Sequence, residues 1–157
     1  MAETPLDEAF MSQALAEAER ASAEGEVPVG AVVVVEGQVI GRGRNRREAL
    51  KDPTAHAEIL ALRQASQAQG GWRLPGATLY STLEPCPMCA GALIQARAER
   101  LVYAVRDPKS GSAGSLYDIP RDTRFNHRLR VDSGVLAGEA QTLLDGFFSG
   151  LRQASPA

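Results

Sequence analysis

The segments that decide the fold are Ala-Thr-Leu-Tyr-Ser-Thr-Leu at residues 77–83, Glu-Pro-Cys-Pro-Met-Cys at 84–89 and Leu-Val-Tyr-Ala-Val at 101–105. The apolar runs at 77–83 and 100–105 predict two strands. The prolines at 85 and 87 predict the start of a helix that continues to about residue 96. A strand, a helix and a second strand in this order indicate an α/β sheet.

The flanking sequence extends this alternation in both directions. Helical spacing of apolar residues predicts helices at 6–23, 55–69 and 138–152, and apolar runs predict strands at 29–35, 38–41 and 129–131. Glu36-Gly37 is typical of a hairpin turn, and Thr54 is the expected N-cap of the second helix. We therefore expect an α/β fold with helices on both faces of the sheet. Residues 1–157 are expected to form one domain, with a core at about 6–152 and a frayed tail at 153–157.

Composition excludes several classes of protein. Hydrophobic residues make up 44% of the chain and charged residues 23%, as in ordinary globular domains. No apolar run approaches the roughly 20 residues that a membrane span needs. The first residues are acidic and do not resemble a signal peptide, so a cytoplasmic location is expected.

The charge distribution is uneven. The net charge is −2, which is unusual for a nucleic-acid-binding protein. Basic residues nevertheless concentrate at 42–51 and at 106–130, while acidic residues dominate 1–26. These two basic segments allow a local nucleic-acid surface, although charge alone favours the plainer interpretation that they are solvated loop charges.

Two short segments predict a metal site. His-Ala-Glu at 56–58 and Cys-Pro-Met-Cys at 86–89 each lie at a predicted helix start, where the helix dipole favours thiolate over thiol. His56, Cys86 and Cys89 are suitable zinc ligands, and three protein ligands leave a fourth position for water. Glu58 is placed to move protons without being a ligand. This H-x-E and P-C-x-x-C pattern is typical of zinc-dependent nucleobase deaminases.

The two cysteines also allow two other interpretations. A thioredoxin-like redox pair at Cys86 and Cys89 leaves His56 and Glu58 unexplained. A closed structural zinc site, with His127 as a fourth ligand, has little purpose in a domain long enough to build its own core.

The sequence resembles the bacterial tRNA-specific adenosine deaminases over residues 7–152. The resemblance includes the zinc motifs and extends to EVPVGAV at 26–32, DPTAHAEI at 52–59, TLEPC at 82–86, MCAGA at 88–92, RD at 106–107, GSAGSL at 111–116 and NHR at 126–128. It implies a three-layer α-β-α cytidine deaminase-like fold with a central mixed five-stranded sheet. It also implies one Zn²⁺ per subunit, a homodimer, and a tRNA anticodon stem-loop bound near the subunit interface. The reaction implied is the conversion of the wobble adenosine to inosine.

The resemblance also assigns roles to individual residues. The implied zinc ligands are His56, Cys86 and Cys89, the implied proton shuttle is Glu58, and the implied substrate-binding residues are Asn45, Asp107 and Asn126. Asn45 is implied to hold the flipped base or its ribose, and the other two to hold neighbouring nucleotides. The residue type alone favours the plainer interpretation of Asn45 as a turn residue in a polar loop.

Several alternatives stay open at this level. The main one is a deaminase of a free base or nucleoside, such as guanine, cytosine or cytidine, although the two basic segments weigh against it. Another is a non-catalytic, zinc-stabilised RNA-binding module. His127 is either an RNA contact or structural. Phe147 and Phe148 could support an anticodon loop by stacking, although their helical spacing favours a core position for at least one of them.

Overall fold

A computed structural model of the protein describes residues 5–154, and its centre is a five-stranded sheet. The strands are β1 (Gly30–Val35), β2 (Gln38–Arg44), β3 (Thr78–Leu83), β4 (Arg100–Val105) and β5 (Arg130–Ser133). They lie in the order β2-β1-β3-β4-β5. β1 is antiparallel to both β2 and β3, whereas β3, β4 and β5 are parallel. The predicted mixed five-stranded sheet is confirmed.

Helices cover both faces of this sheet, as predicted. They are α1 (Pro5–Ala23), α2 (Arg47–Leu50), α3 (Ala57–Gln69), α4 (Pro87–Gln95) and α5 (Ala137–Ala154). Alternate β1 residues point to opposite faces, so Val32 packs in a cluster with α1 and α5, and Val33 packs in a cluster with α3 and α4. The chain therefore forms three layers. Within residues 5–154, none of the helices has the length and apolar character that a membrane crossing requires.

Strand β2 is longer than the sequence predicted. The predicted strand ended at Gly41, but pairing with β1 continues to Arg44. A Cβ atom on Gly41 would lie 2.2 Å from the carbonyl oxygen of Ala61, and one on Gly43 would lie 2.2 Å from that of Ala57. The backbone of β2 therefore packs directly on the backbone of α3, which no residue larger than glycine permits at these two positions.

The start of α3 also differs from the prediction. The Thr54 hydroxyl donates to the carboxylate of Asp52 at 2.8 Å, so Thr54 belongs to a local turn and is not the N-cap. The N-cap position is occupied by His56, whose side chain makes no capping hydrogen bond. Its imidazole ring is therefore available to the site described below.

A four-residue helix, α2, was not predicted. A buried carboxylate on Glu26 holds it, accepting hydrogen bonds from the amides of Glu48 at 3.1 Å and Ala49 at 2.8 Å. At the other end of the chain, α5 continues to Ala154. The frayed tail at 153–157 stays a prediction, and residues 155–157 lie outside the described part of the chain.

Candidate active site

Three candidate metal ligands converge at the starts of two helices. His56 precedes α3, Cys86 is the N-cap residue of α4, and Cys89 lies in its first turn. The Nδ1 atom of His56 lies 3.5 Å from Sγ of Cys86 and 3.4 Å from Sγ of Cys89. The ligand atoms of the three residues all lie within 4.8 Å of one another. No other group of three histidine, cysteine or acidic side chains in the described part of the chain is close enough to hold a metal ion.

The donor set and its spacing fit zinc. Tetrahedral zinc with bonds of about 2.3 Å to sulfur and about 2.05 Å to nitrogen separates the two ligand atoms by roughly 3.5 Å. The two observed nitrogen–sulfur separations, 3.5 and 3.4 Å, match that value. His127 is not a fourth ligand, because its Nε2 donates to the carbonyl of Ala98 at 2.7 Å. The site therefore offers three protein ligands and an open position, as catalytic zinc requires.

The ionisation of the three ligands suits a cation. Hydrogen bonds from Cys89 and then from His56 lower the pKa of Cys86 to about 4, although burial opposes this. The hydrogen bond with Cys86, together with burial, raises the pKa of Cys89. The hydrogen bond with Cys86 raises the pKa of His56. A divalent cation between the ligands removes the repulsion between the thiolates and favours the deprotonated set.

Glu58 is buried beside this centre. Glu58 lies in the first turn of α3 and is only 4% exposed. Burial raises its pKa to about 7, and hydrogen bonds with its own backbone and Cys89 offset only part of that rise. A carboxyl group with a pKa near neutrality both accepts and releases a proton readily at physiological pH. Glu58 can therefore act as a general acid and base here.

These groups border a cavity of about 180 Å³. The lining includes Val27, Val29, Asn45, Arg47, His56, Ala57, Glu58, Leu83, Glu84, Cys86, Asp107 and Ser110. Sites that enclose a drug-sized ligand measure roughly 300–1,000 Å³, so this cavity suits a single base-sized group. Anything larger attached to that group remains outside.

Asn45 lies on one wall of the cavity and is only 6% exposed. Its Nδ2 atom donates to the carbonyl of Val27 at 3.2 Å, and its Oδ1 atom accepts from the amide of Arg47 at 3.2 Å. These bonds fix the orientation of the amide and leave it one N–H donor and further acceptor capacity. Asn45 is thus both a turn residue and a cavity residue, and the two interpretations of the sequence are compatible.

Asp107 also lines the cavity and shapes its own loop. Its carboxylate accepts hydrogen bonds from the amide of Lys109 at 3.0 Å and from the hydroxyl of Ser110 at 2.9 Å. Asn126 is placed differently, since it is exposed and is not among the residues that line the cavity. The chain thus brings together six of the seven predicted site residues, all except Asn126.

The two phenylalanines of α5 lie at the surface. Their rings pack edge to face with centroids 5.5 Å apart. Phe147 is partly buried and Phe148 is 41% exposed, so neither belongs to the buried core. The expectation that at least one of them is a core residue is therefore wrong, because α5 buries a different stripe, which includes Ala140 and Leu144.

Glu84 is a site residue to which sequence reasoning gave no role. It is 2% exposed, and its carboxylate accepts from the amides of Asp107 at 3.0 Å, Ala113 at 2.9 Å and Ser115 at 3.0 Å, as well as from the Ser115 hydroxyl. These bonds connect the residue before the Pro-Cys motif to the loop that carries Asp107. The one available signal was an acidic residue between a buried strand and a proline.

The chain is similar to known deaminases. The family profile described as "Cytidine and deoxycytidylate deaminase zinc-binding region" matches residues 4–105. The tRNA-specific adenosine deaminase of Bacillus subtilis (strain 168) is 48% identical over 151 residues, which cover 96% of this chain and 94% of that protein.

Two solved structures are also similar. One comes from a study of A-to-I editing by tRNA:A34 deaminases at the wobble position of transfer RNA. It is 47% identical, with a TM-score of 0.84 over 87% of this chain and 99% of that chain. The other, a guanine deaminase from Nitrosomonas europaea, is 28% identical, with a TM-score of 0.77 over 93% of this chain and 85% of that chain.

Proposed function

The chain belongs to the zinc-binding cytidine and deoxycytidylate deaminase family, and we propose that it hydrolytically deaminates adenosine to inosine at the wobble position of a tRNA anticodon loop. The observation that carries the chemistry is the open three-ligand centre beside Glu58, a buried carboxyl group with a pKa near 7. The observation that favours the tRNA substrate is the 48% identity to a tRNA-specific adenosine deaminase over nearly the whole chain.

Each residue of the centre has a distinct role in this reaction. His56, Cys86 and Cys89 hold one Zn²⁺ per subunit, which when bound supplies a nucleophilic oxygen at neutral pH. Glu58 accepts a proton from the attacking water and donates protons to the ring and to the departing amine. Water is consumed and ammonia leaves as C6 of adenine exchanges its amino group for oxygen.

The remaining predicted residues hold the nucleotide. Asn45 is fixed in orientation on the cavity wall, where its free donor and acceptor suit a base edge or a ribose hydroxyl. Asp107 lines the same cavity, and we assign it and the exposed Asn126 to nucleotides beside the target. An anticodon loop is already single-stranded, so extrusion of one base into the cavity costs little unstacking.

We also propose that each subunit is one deaminase domain and that the enzyme is a homodimer. A groove between α3 and α4, lined by Ile59, Leu62, Ala92 and Trp72, is largely apolar, and Trp72 is 55% exposed. Such a surface suits a second copy of the chain. Light scattering after size exclusion tests this, since Trp72→Glu should shift a dimeric mass to a monomeric one. A tRNA substrate is consistent with a cytoplasmic location.

Guanine deamination is the second candidate, because a guanine deaminase shares the fold at 28% identity. The deciding experiment incubates the zinc-loaded protein with an anticodon stem-loop bearing a wobble adenosine and, in parallel, with guanine, adenosine and cytidine. We expect inosine in the stem-loop alone, and loss of turnover after chelation that returns when zinc is added. If the protein releases ammonia from guanine and leaves the stem-loop unchanged, the tRNA proposal is wrong and guanine deamination takes its place.

A further inference from the structure

A basic cleft lies beside the edge strand β2, outside the cavity. It has a volume of about 380 Å³, and its lining contains the four arginines Arg20, Arg42, Arg44 and Arg46 but only one carboxylate, that of Glu17. Such an excess of guanidinium groups around a concave surface attracts anions. The acidic net charge of −2 for the whole chain makes this local excess more distinctive.

Two of these arginines are already paired. Arg44 donates to both carboxylate oxygens of Glu24, from Nε at 2.8 Å and from Nη2 at 2.9 Å. Arg20 donates to the carboxylate of Glu17 at 3.2 Å. These ion pairs hold the walls of the cleft and leave the binding of a further anion to the other two arginines.

Arg42 and Arg46 retain free donors. The side chain of Arg42 is exposed and has no hydrogen-bond acceptor among residues 5–154. The Nε atom of Arg46 is buried and has no partner within the same residues. That atom has almost no exposed surface, so an anion in the cleft would be bound by the terminal Nη groups of Arg42 and Arg46, for which no acceptor is found among residues 5–154. A guanidinium group is planar and matches the oxygens of a phosphate with two parallel hydrogen bonds.

The cleft and the cavity are lined by neighbouring residues of one segment. Arg46 lines the cleft, whereas its two sequence neighbours, Asn45 and Arg47, line the cavity. The segment 45–47 therefore separates the two, and a polymer whose base enters the cavity has its adjacent backbone close to the cleft. The cavity encloses one base-sized group, so the rest of the polymer must lie on the surface around it.

We propose that this cleft binds a backbone phosphate of the substrate RNA, with Arg42 and Arg46 as the donors. The inference rests on the proposed function, since it requires a polymeric substrate. It assigns the cleft to affinity for RNA and gives it no part in the chemical step. The shared ligand chemistry is a phosphate oxyanion, and the experiment separates the RNA backbone from free inorganic phosphate.

The test compares Arg42→Gln, Arg46→Gln and the double variant with the wild type. For the anticodon stem-loop, we expect KM to rise about 3-fold to 10-fold per arginine, with kcat unchanged. The slope of log K against log salt, measured by fluorescence anisotropy, should fall by about one for each lost phosphate contact. Arg46→Lys should recover part of the affinity because it keeps the charge.

A matched control is Arg97→Gln, because Arg97 lies outside both basic segments and does not line the cleft. It follows α4 at the end of that helix away from Cys86 and Cys89, where its Nη1 atom donates to the carbonyl of Ile94 at 2.8 Å. This variant should change neither KM nor the salt slope. If Arg46→Gln proves unstable in thermal unfolding, the exposed Arg42→Gln still decides the matter.

The outcomes are distinguishable from failure of the proposed function. Wild-type protein that leaves the stem-loop adenosine unchanged contradicts the proposed function, while anisotropy still tests the cleft. Unchanged affinity and salt slope in the double variant overturn the cleft as an RNA site. Calorimetry with inorganic phosphate separates the two sources of the ligand. If phosphate binding depends on Arg42 and Arg46 while the KM for RNA is unchanged in the variants, the cleft binds free phosphate and the RNA proposal is overturned.

Discussion

Two buried glutamates, Glu58 and Glu84, border the cavity, and their surroundings shift their pKa values in opposite directions. Glu58, beside the candidate metal centre, has its pKa raised to about 7 by burial. Burial also opposes ionisation of Glu84, but hydrogen bonds from Ser115 and from the amides of the 107–115 loop outweigh it and lower its pKa. Two carboxyl groups in residues of similar exposure, 4% and 2%, therefore have pKa values shifted in opposite directions, and the hydrogen-bond donors around Glu84 lower its pKa.

The strongest test of this contrast is Glu58→Gln. We expect kcat on the stem-loop to fall by about 10²-fold to 10⁴-fold or more, because the amide cannot move protons. Zinc content and thermal stability should be unchanged, since the variant loses no network of hydrogen bonds. Glu19→Gln, on the exposed side of α1, is the control. Near-normal turnover in Glu58→Gln would show that another group carries the protons.

The opposite result is expected from Glu84→Gln. One of the oxygens that accept hydrogen bonds becomes an NH₂ group facing backbone donors, so the free energy of unfolding should fall by about 1–3 kcal/mol. The loop that carries Asp107 should loosen, and KM for the stem-loop should rise more than kcat falls. Thermal unfolding and steady-state kinetics measure the two effects. If stability is unchanged, the amides of the loop have other acceptors and the contrast with Glu58 fails.

Gly111→Ala tests how closely the loop lies on Glu84. A Cβ atom there would lie 2.4 Å from the carboxyl carbon of Glu84 and 2.4 Å from the carbonyl oxygen of Asp107. Relief of this overlap should cost about 1–3 kcal/mol of stability, measured by denaturant unfolding. Gly138→Ala, which meets no atom within 4 Å, is the matched control and should not be destabilised. Equal stability of the two variants would contradict the close packing.

The smallest effect is expected from Ser115→Ala. It removes the hydroxyl that donates to Glu84 and leaves the three amide donors in place. A loss of about 0.5–1.5 kcal/mol in unfolding free energy is expected, with little change in kcat. Ser115→Ala should therefore be milder than Glu84→Gln. A larger loss than in Glu84→Gln would mean that the hydroxyl, and not the carboxylate, organises the loop.

Local patterns predicted most of the fold and the metal centre. The central strands are continuous apolar runs, and the ligands His56, Cys86 and Cys89 belong to two short motifs, so each was visible within a few residues. Two elements of the fold, helix α2 and the end of β2, were not predictable in this way. Helix α2 has only four residues and no periodicity. The end of β2 alternates glycine with arginine and lacks an apolar signal.

The anchoring roles of the buried glutamates were also out of reach of the sequence. Glu84 bonds to residues 23–31 positions away, and Glu26 to residues 22 and 23 positions away. Such pairs form only when the sheet and loops are assembled, and nothing in the spacing indicates them. The structure shows that Asn126 is exposed, and its role in substrate binding stays a prediction.

The two glycines of β2 have a consequence for the cavity as well as for packing. A slip of β2 by one residue would push an arginine side chain into the backbone of α3, where not even a methyl group fits at Gly41 or Gly43. The pairing register of β2 is therefore fixed, because a register shifted by one residue would be much higher in energy. Asn45 follows β2 directly, so the position of its amide in the cavity depends on main-chain packing two and four residues earlier, at Gly43 and Gly41. Engineering that widens the cavity would do better to alter its loops than to move this strand.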